Sequence, residues 1–513
     1  MMKKLICVLL SLCLLITLTG CSGIETRPDR AAATLVPAGT NLAAPDGEHG
    51  SGNNGTYALY LPSKDGLNLL AQYITLQTQN TEQTAETLVR RLLVFDGNDQ
   101  VNAIGGDAGV TLYGTNPVEV SGGVCTVNLS SSALLLDYQD IYTLSLAIAA
   151  TLCELEQISY VNVLSADQAI GTDITGNLPM GSLNARPGED LPVLWEQLQA
   201  KKTPLGRDLS LNPFSSLCTL YFPLADGSGI IPETRTVSFA GQTPQQMTSS
   251  LLDALSFGAL YQQDVPAIPD LNSLMTHAPL SSELEDGGRL ITLTFRDDLE
   301  RVLAGNGIDM ACMIAGVTYT LTSFIPGIAA LNIRVGETLL TSLYSKQFGS
   351  VLFRGGLQKR NQFEPYLMGQ ATLYFRSGDR LMSIRRAFPG EQVESPGAHL
   401  QALLEGPTES ETAEGASAVM PAGLSDEDIL GIEVCDGVVT VNLTESFRQA
   451  IADYGAENEQ LLCYSMVNTL CSNTGCRSVC FFFEGEQAEM IAGTVCWSGE
   501  FLYAPGLAGT DVG

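Results

Sequence analysis

The run Thr219-Leu220-Tyr221-Phe222-Pro223 has two near relatives in the same chain, Ala58-Leu59-Tyr60-Leu61 and Thr372-Leu373-Tyr374-Phe375. Short runs of aliphatic, aromatic and β-branched residues mark strands. The first two of these in chain order continue through Pro into Asp65-Gly66 and Asp226-Gly227, a turn signal. A second strand then follows in each copy, near Tyr73–Gln77, Thr234–Phe239 and Met382–Phe388.

Working outward, each copy next shows a helix start. Thr81, Thr243 and Ser395 offer a side-chain oxygen suited to an N-cap, and Pro244 and Pro396 stand where a missing N–H costs nothing. Apolar residues then fall at steps of three and four: Leu88, Val89, Leu92, Leu93; Met247, Leu251, Leu252, Leu255; Leu400, Leu403, Leu404. That spacing predicts one buried face per helix. Gly97, Gly258 and Gly406 mark the helix ends.

A third motif recurs at nearly equal spacing: Thr126-Val127-Asn128-Leu129, Thr292-Leu293-Thr294-Phe295 and Thr440-Val441-Asn442-Leu443. A second helix ends near Thr151-Leu152, Thr320-Leu321 and Thr469-Leu470, and a last strand holds Val161–Leu164, Leu331–Ile333 and Val479–Phe482. The order β-β-α-β-β-α-β, three times over, predicts an α+β protein of three repeated small domains. Each is expected to be a sheet with helices on one face. The boundaries fall at 56–170, 217–338 and 371–487, with linkers or arms at 171–216 and 339–370 and a C-terminal hairpin or tail at 488–513. The length of 513 residues fits three domains at about 150 residues each.

The N-terminus reads as an address. Lys3 and Lys4 precede the apolar run Leu5–Leu18, which has the length of a signal sequence and is short for a membrane span. Leu18-Thr19-Gly20-Cys21 looks like a bacterial lipobox, in which the Cys21 thiol receives a diacylglyceryl group and cleavage after Gly20 makes it the new N-terminus. An ordinary signal peptide with an incidental Cys21 is the alternative. Residues 21–55 are rich in Gly, Ala, Pro, Asn and Asp without apolar periodicity, and are expected to form a flexible tether.

Composition narrows the function. Acidic residues outnumber basic ones 56 to 26, for a net charge of −30, which excludes nucleic acid as a partner. Three His leave little for imidazole chemistry, and two Trp argue against a stacked indole platform for carbohydrate. No nucleophile elbow, phosphate loop or H-E-x-x-H motif is present.

The stretch from Thr219 to Pro223, then Ile231-Pro232-Glu233-Thr234-Arg235, Leu251–Leu255 and Tyr319–Thr322, resembles a GerMN domain. So do Leu403-Leu404-Glu405-Gly406-Pro407, Val439–Ser446 and Asn468-Thr469-Leu470 in the third copy. The first copy diverges most and lacks an obvious Glu-x-Arg or Gly-Pro element. The resemblance implies a membrane-anchored, non-enzymatic part in spore formation or germination, on the extracytoplasmic face or in the space around the forespore. It implies other envelope or sporulation-complex proteins as partners. Three copies depart from the usual one or two.

Cys21 is the one residue with an assigned role, lipidation; no catalytic, metal or binding residue and no cofactor is assigned. Asp426-Glu427-Asp428 and Glu283, Glu285 and Asp286 read as solvated charges, with a weak cation site as the sharper alternative. Arg235 and Arg386 read as edge-strand ion pairs, against contact with an acidic partner. Tyr60, Tyr221 and Tyr374 read as core or sheet-face residues. Ten Cys follow Cys21, and mostly free thiols are expected, with disulfides and zinc as alternatives. The sequence thus supports a lipid-anchored scaffold or adaptor, its oligomeric state open. Capture of a peptide or cell-wall fragment, and a two-carboxylate wall hydrolase, are the rivals.

Overall fold

The computed structural model describes residues 44–50, 53–78, 80–105, 108–185, 188–201, 212–262, 264–285 and 287–507. It is a mixed α+β protein of several small sheets and helices, in three successive segments, each with its own apolar core. Each segment opens with a long antiparallel hairpin: Asn53–Pro62 with Leu69–Thr78, Phe214–Pro223 with Ile230–Phe239, and Met368–Ser377 with Arg380–Pro389. An outer helix follows, Thr81–Leu93, Pro244–Ser256 or Pro396–Glu405. Its apolar stripe is buried as the spacing predicts, with Leu88, Val89, Leu92 and Leu93 as one example. Thr243 and Ser395 cap their helices, but in the first segment Asn80 rather than Thr81 is the cap, its Oδ1 accepting from the Gln83 N–H at 2.8 Å.

A mixed sheet completes each segment. Val124–Leu129, Arg289–Phe295 and Val438–Leu443 each pair in parallel with the strand after a core helix. The core helices are Tyr138–Leu152, Met310–Phe324 and Ala456–Thr474, and each serves as the crossover that parallel pairing requires.

One expectation is corrected here. The hairpin and the mixed sheet are separate, and the core helix packs against both, so the helices do not lie on one face of a single sheet. The physical reason is that the core helix is apolar nearly all round: from Met310 to Phe324 only Met310 and Ser323 are less than buried. Such a helix must be covered on every side.

The described residues of the arms pack into the segments before them. Leu178, Leu183, Leu191 and Leu198 sit in the first core, and Leu343, Phe353, Phe363 and Tyr366 in the second. In each segment the chain returns to pair with the last strand at one position: Leu183 opposite Val161, Gln358 opposite Leu331, and Phe501 opposite Val479.

The expected tether ends before residue 55. Gly47–Gly50 forms a parallel edge strand against Ile429–Cys435, in the sheet of the third segment, and Asn53 already begins the first hairpin. A side chain at Gly431 would collide with the Pro45 carbonyl oxygen, so glycine there permits the approach. Backbone pairing, not apolar patterning, seats this strand. No single described helix is long and apolar enough to cross a membrane.

Candidate functional site

A buried polar group lies where the first and second segments meet. Arg360 begins the short 3-10 turn Arg360–Tyr366 and is buried. Its Nη2 donates to Glu119 Oε2 at 2.6 Å, and Nη1 donates to Ser323 Oγ at 2.6 Å. The guanidinium carbon stands 4.0 Å from the centre of the Tyr319 ring, a cation–π contact. Tyr319 OH in turn donates to Glu119 Oε1 at 3.4 Å. Burial, and then the Glu119 charge, push the Tyr319 hydroxyl well above its ordinary pKa. Glu119 belongs to the first segment's sheet and Tyr319 and Ser323 to the second segment's core helix, so the pair ties the two together. Desolvating two charges is costly, and the hydrogen bonds of the guanidinium to Glu119, Ser323 and, at 3.4 Å, Thr126 Oγ1 help to offset it.

Beside it opens a polar cavity of about 490 Å³, lined by Tyr113, Asn116, Asn128, Asp167 and Glu364 together with the ion pair. Asp167 Oδ1 accepts from Asn128 Nδ2 at 2.6 Å, and Glu364 Oε2 accepts from Asn116 Nδ2 at 3.2 Å. Burial and then the charge of Glu119 raise the pKa of Glu364. Three carboxylates facing one guanidinium leave the cavity negative, which suits hydrogen-bond donors. No nucleophile stands beside a base here. Among the described residues no group of three or more His, Cys, Asp or Glu could hold a metal ion.

Two of the arginines singled out in the sequence do parallel work. Arg235 donates to the carbonyls of Ala254 and Gly258 at 2.5 and 2.8 Å, and pairs with Glu233 at 3.1 Å. Arg386 reaches the carbonyls of Ala402 and Gly406 at 3.4 and 2.9 Å, and pairs with Glu411 at 2.5 Å. Each guanidinium closes the C-terminus of its outer helix, where unpaired carbonyls favour a cation. Burial opposes ionisation of Glu411, but Arg386 and the Thr408 N–H outweigh it and hold its pKa below the usual carboxylate value.

Other residues of interest are structural. The Tyr60, Tyr221 and Tyr374 rings are buried. Asp428 caps its turn by accepting from the Ser425 N–H at 2.9 Å and from Thr444 Oγ1 at 2.7 Å. His277 is exposed, whereas His399 is wholly buried, its Nε2 2.8 Å from the Val393 carbonyl. The ten cysteines from Cys125 to Cys496 are free thiols, and Cys496 is the exposed one. Burial pushes Cys153 and Cys480 up to about 11. Cys21 lies outside the described residues.

Sequence reasoning missed Glu119, Arg360 and Glu364. Arg360 sits among polar residues in an arm, and only its isolation between Phe353 and Phe363, both core residues, hinted at burial.

Residues 372–489 match the Germane family, described as sporulation and spore germination. The third segment carries that match. The matched stretch runs from within the first strand of the third hairpin to just past the third sheet's last parallel strand. Among solved structures, the chain is similar to the tandem GerMN domains of the sporulation protein GerM from Bacillus subtilis, at 17% identity over 60% of this chain and 99% of that one, with a TM-score of 0.22. It is also similar to the first GerMN domain of the same protein, at 19% identity over 26% of this chain and 95% of that one, with a TM-score of 0.19. No curated protein matches the chain.

Proposed function

We propose that this chain is a non-enzymatic scaffold of spore formation or germination, lipid-anchored through Cys21 on the extracytoplasmic face. It binds other envelope proteins through three GerMN-like units. The Germane match of residues 372–489 carries this reading. The recurrence of hairpin, outer helix, core helix and mixed sheet in all three segments supports a triplicated unit. Three linked modules can each bind weakly and still hold an assembly.

Crosslinking of the anchored protein in sporulating and in vegetative cells tests it. Sporulation-specific recovery of proteins that join the mother cell to the forespore is expected. Equal partners in both states, or wall material alone, would remove the reading.

The cavity beside Arg360 favours a second reading, capture of a small ligand rich in hydrogen-bond donors, such as a peptide or wall fragment. Calorimetric titration with stem peptides and muropeptides tests that. Heat of binding abolished by Glu364→Gln would favour it, and no heat at millimolar ligand would end it.

A further inference from the structure

The loop after the second outer helix displays three large apolar side chains in solvent: Phe257, Leu260 and Tyr261, at 76%, 54% and 68% exposure. Their backbone is held firmly. Glu233, itself buried, accepts from the N–H groups of Leu260 and Tyr261 at 2.9 and 2.8 Å, while Arg235 grips the carbonyl of Gly258. The Arg235 guanidinium also lies 5.6 Å from the Phe257 ring centre. Anchors fixed before binding lose less entropy on association.

The third segment supplies an internal control. Arg386 grips Ala402 and Gly406 as Arg235 grips Ala254 and Gly258, and the Thr408 N–H is held by Glu411 at 2.7 Å. Counted from those shared carbonyls, the places of Phe257, Leu260 and Tyr261 are taken by Glu405, Thr408 and Glu409. The scaffold of the loop therefore does not require apolar side chains there.

Along the sequence the loop is flanked by one sign of charge, and Arg235 beside it is neutralised by its ion pair with Glu233. From Thr236 to Gly288 the sequence has no Lys or Arg and six Asp or Glu. Asp253 stands one helical turn before Phe257, on the same face. A second copy of this chain, at a net charge of −30, would be repelled. We infer that Phe257, Leu260 and Tyr261 form a docking surface for a protein partner with an apolar recess and a basic rim. Aromatic anchors within complementary charge are the usual centre of such interfaces. The inference deepens the scaffold reading and rests on it.

The test uses the full chain, an amphipathic helical peptide of leucine and lysine, and its leucine–glutamate twin. Fluorescence anisotropy should show the lysine peptide binding the native chain. The variant Phe257→Glu, Leu260→Thr, Tyr261→Glu should bind at least about tenfold more weakly, with an unchanged melting temperature. Phe257→Glu alone should weaken binding in the same direction. The glutamate peptide should not bind. Equal binding by the native and variant chains, or no binding of the lysine peptide, would overturn the proposal. So would Phe257-dependent flotation with phosphatidylcholine vesicles, which would assign the loop to a membrane. Each of these failures, with sporulation-specific crosslinks retained, would remove this loop and leave the scaffold reading standing.

Discussion

The backbone N–H of Tyr221 donates to Thr320 Oγ1 at 3.0 Å, joining the second hairpin to its core helix. Tyr60 meets Thr151 and Tyr374 meets Thr469 in the same way and at the same distance. Each bond satisfies a buried amide on the hairpin edge that faces the helix. In the third segment Ser465 Oγ also donates to the Tyr374 carbonyl at 2.5 Å; in the second, Gly316 lies one turn before Thr320, where a Cβ would meet the Tyr221 carbonyl oxygen at 2.5 Å.

Thr320→Val keeps the shape of the side chain and removes the acceptor, leaving the Tyr221 N–H buried and unpaired. It should lower stability to urea by about 1–3 kcal/mol, and Thr320→Ser should recover most of that loss. A Thr320→Val chain as stable as the native one would show that the bond contributes nothing.

The Arg360–Glu119 pair should respond non-additively to substitution. Arg360→Met strands a half-buried carboxylate, and Glu119→Gln leaves the buried guanidinium without its counter-charge; each should lower stability, by up to about 3–5 kcal/mol. The double replacement Arg360→Met, Glu119→Leu should cost less than either single change. Urea unfolding of the four chains checks this, and additive losses would contradict it.

How much of this was legible follows from range. The alternation around Tyr221 and the helix ending near Thr320 are readable, because both periodicities are local. That they meet is not, since 99 residues separate them and the contact depends on how the hairpin packs. Arg235 and Arg386 are recognisable as a recurring pair because they stand at matched positions in their hairpins. Arg360 has no such counterpart, and its partner Glu119 is 241 residues away. The single-sheet expectation fails at the core helix, which is buried nearly all round and so calls for a layer on each side.

His399 gives the protein a pH response. Burial lowers its pKa from 6.5 to about 4. Between those values the unfolded chain binds a proton and the folded chain does not, so stability should fall as the pH drops from about 6.5 to about 4. The contribution is about 3 kcal/mol at most. Melting curves of the native chain and His399→Gln across that range should converge at the acid end. Parallel curves would rule His399 out as the source.

Cys21→Ala should abolish lipidation and release the chain from the membrane. Fractionation with a detergent-phase partition measures it, and membrane retention after the substitution would sink the anchor.

Gly47–Gly50 and Glu500–Leu502 occupy opposite edges of one five-stranded sheet. The described chain is therefore buckled like a belt: its leading strand is fastened to the segment it reaches last. Cutting away the third segment would unfasten the leader as well, and the first segment cannot be excised with its leader still seated. Dissection into three independent pieces should thus disturb more than the cut sites, and cooperative melting of the intact chain should not be the sum of the melts of its fragments.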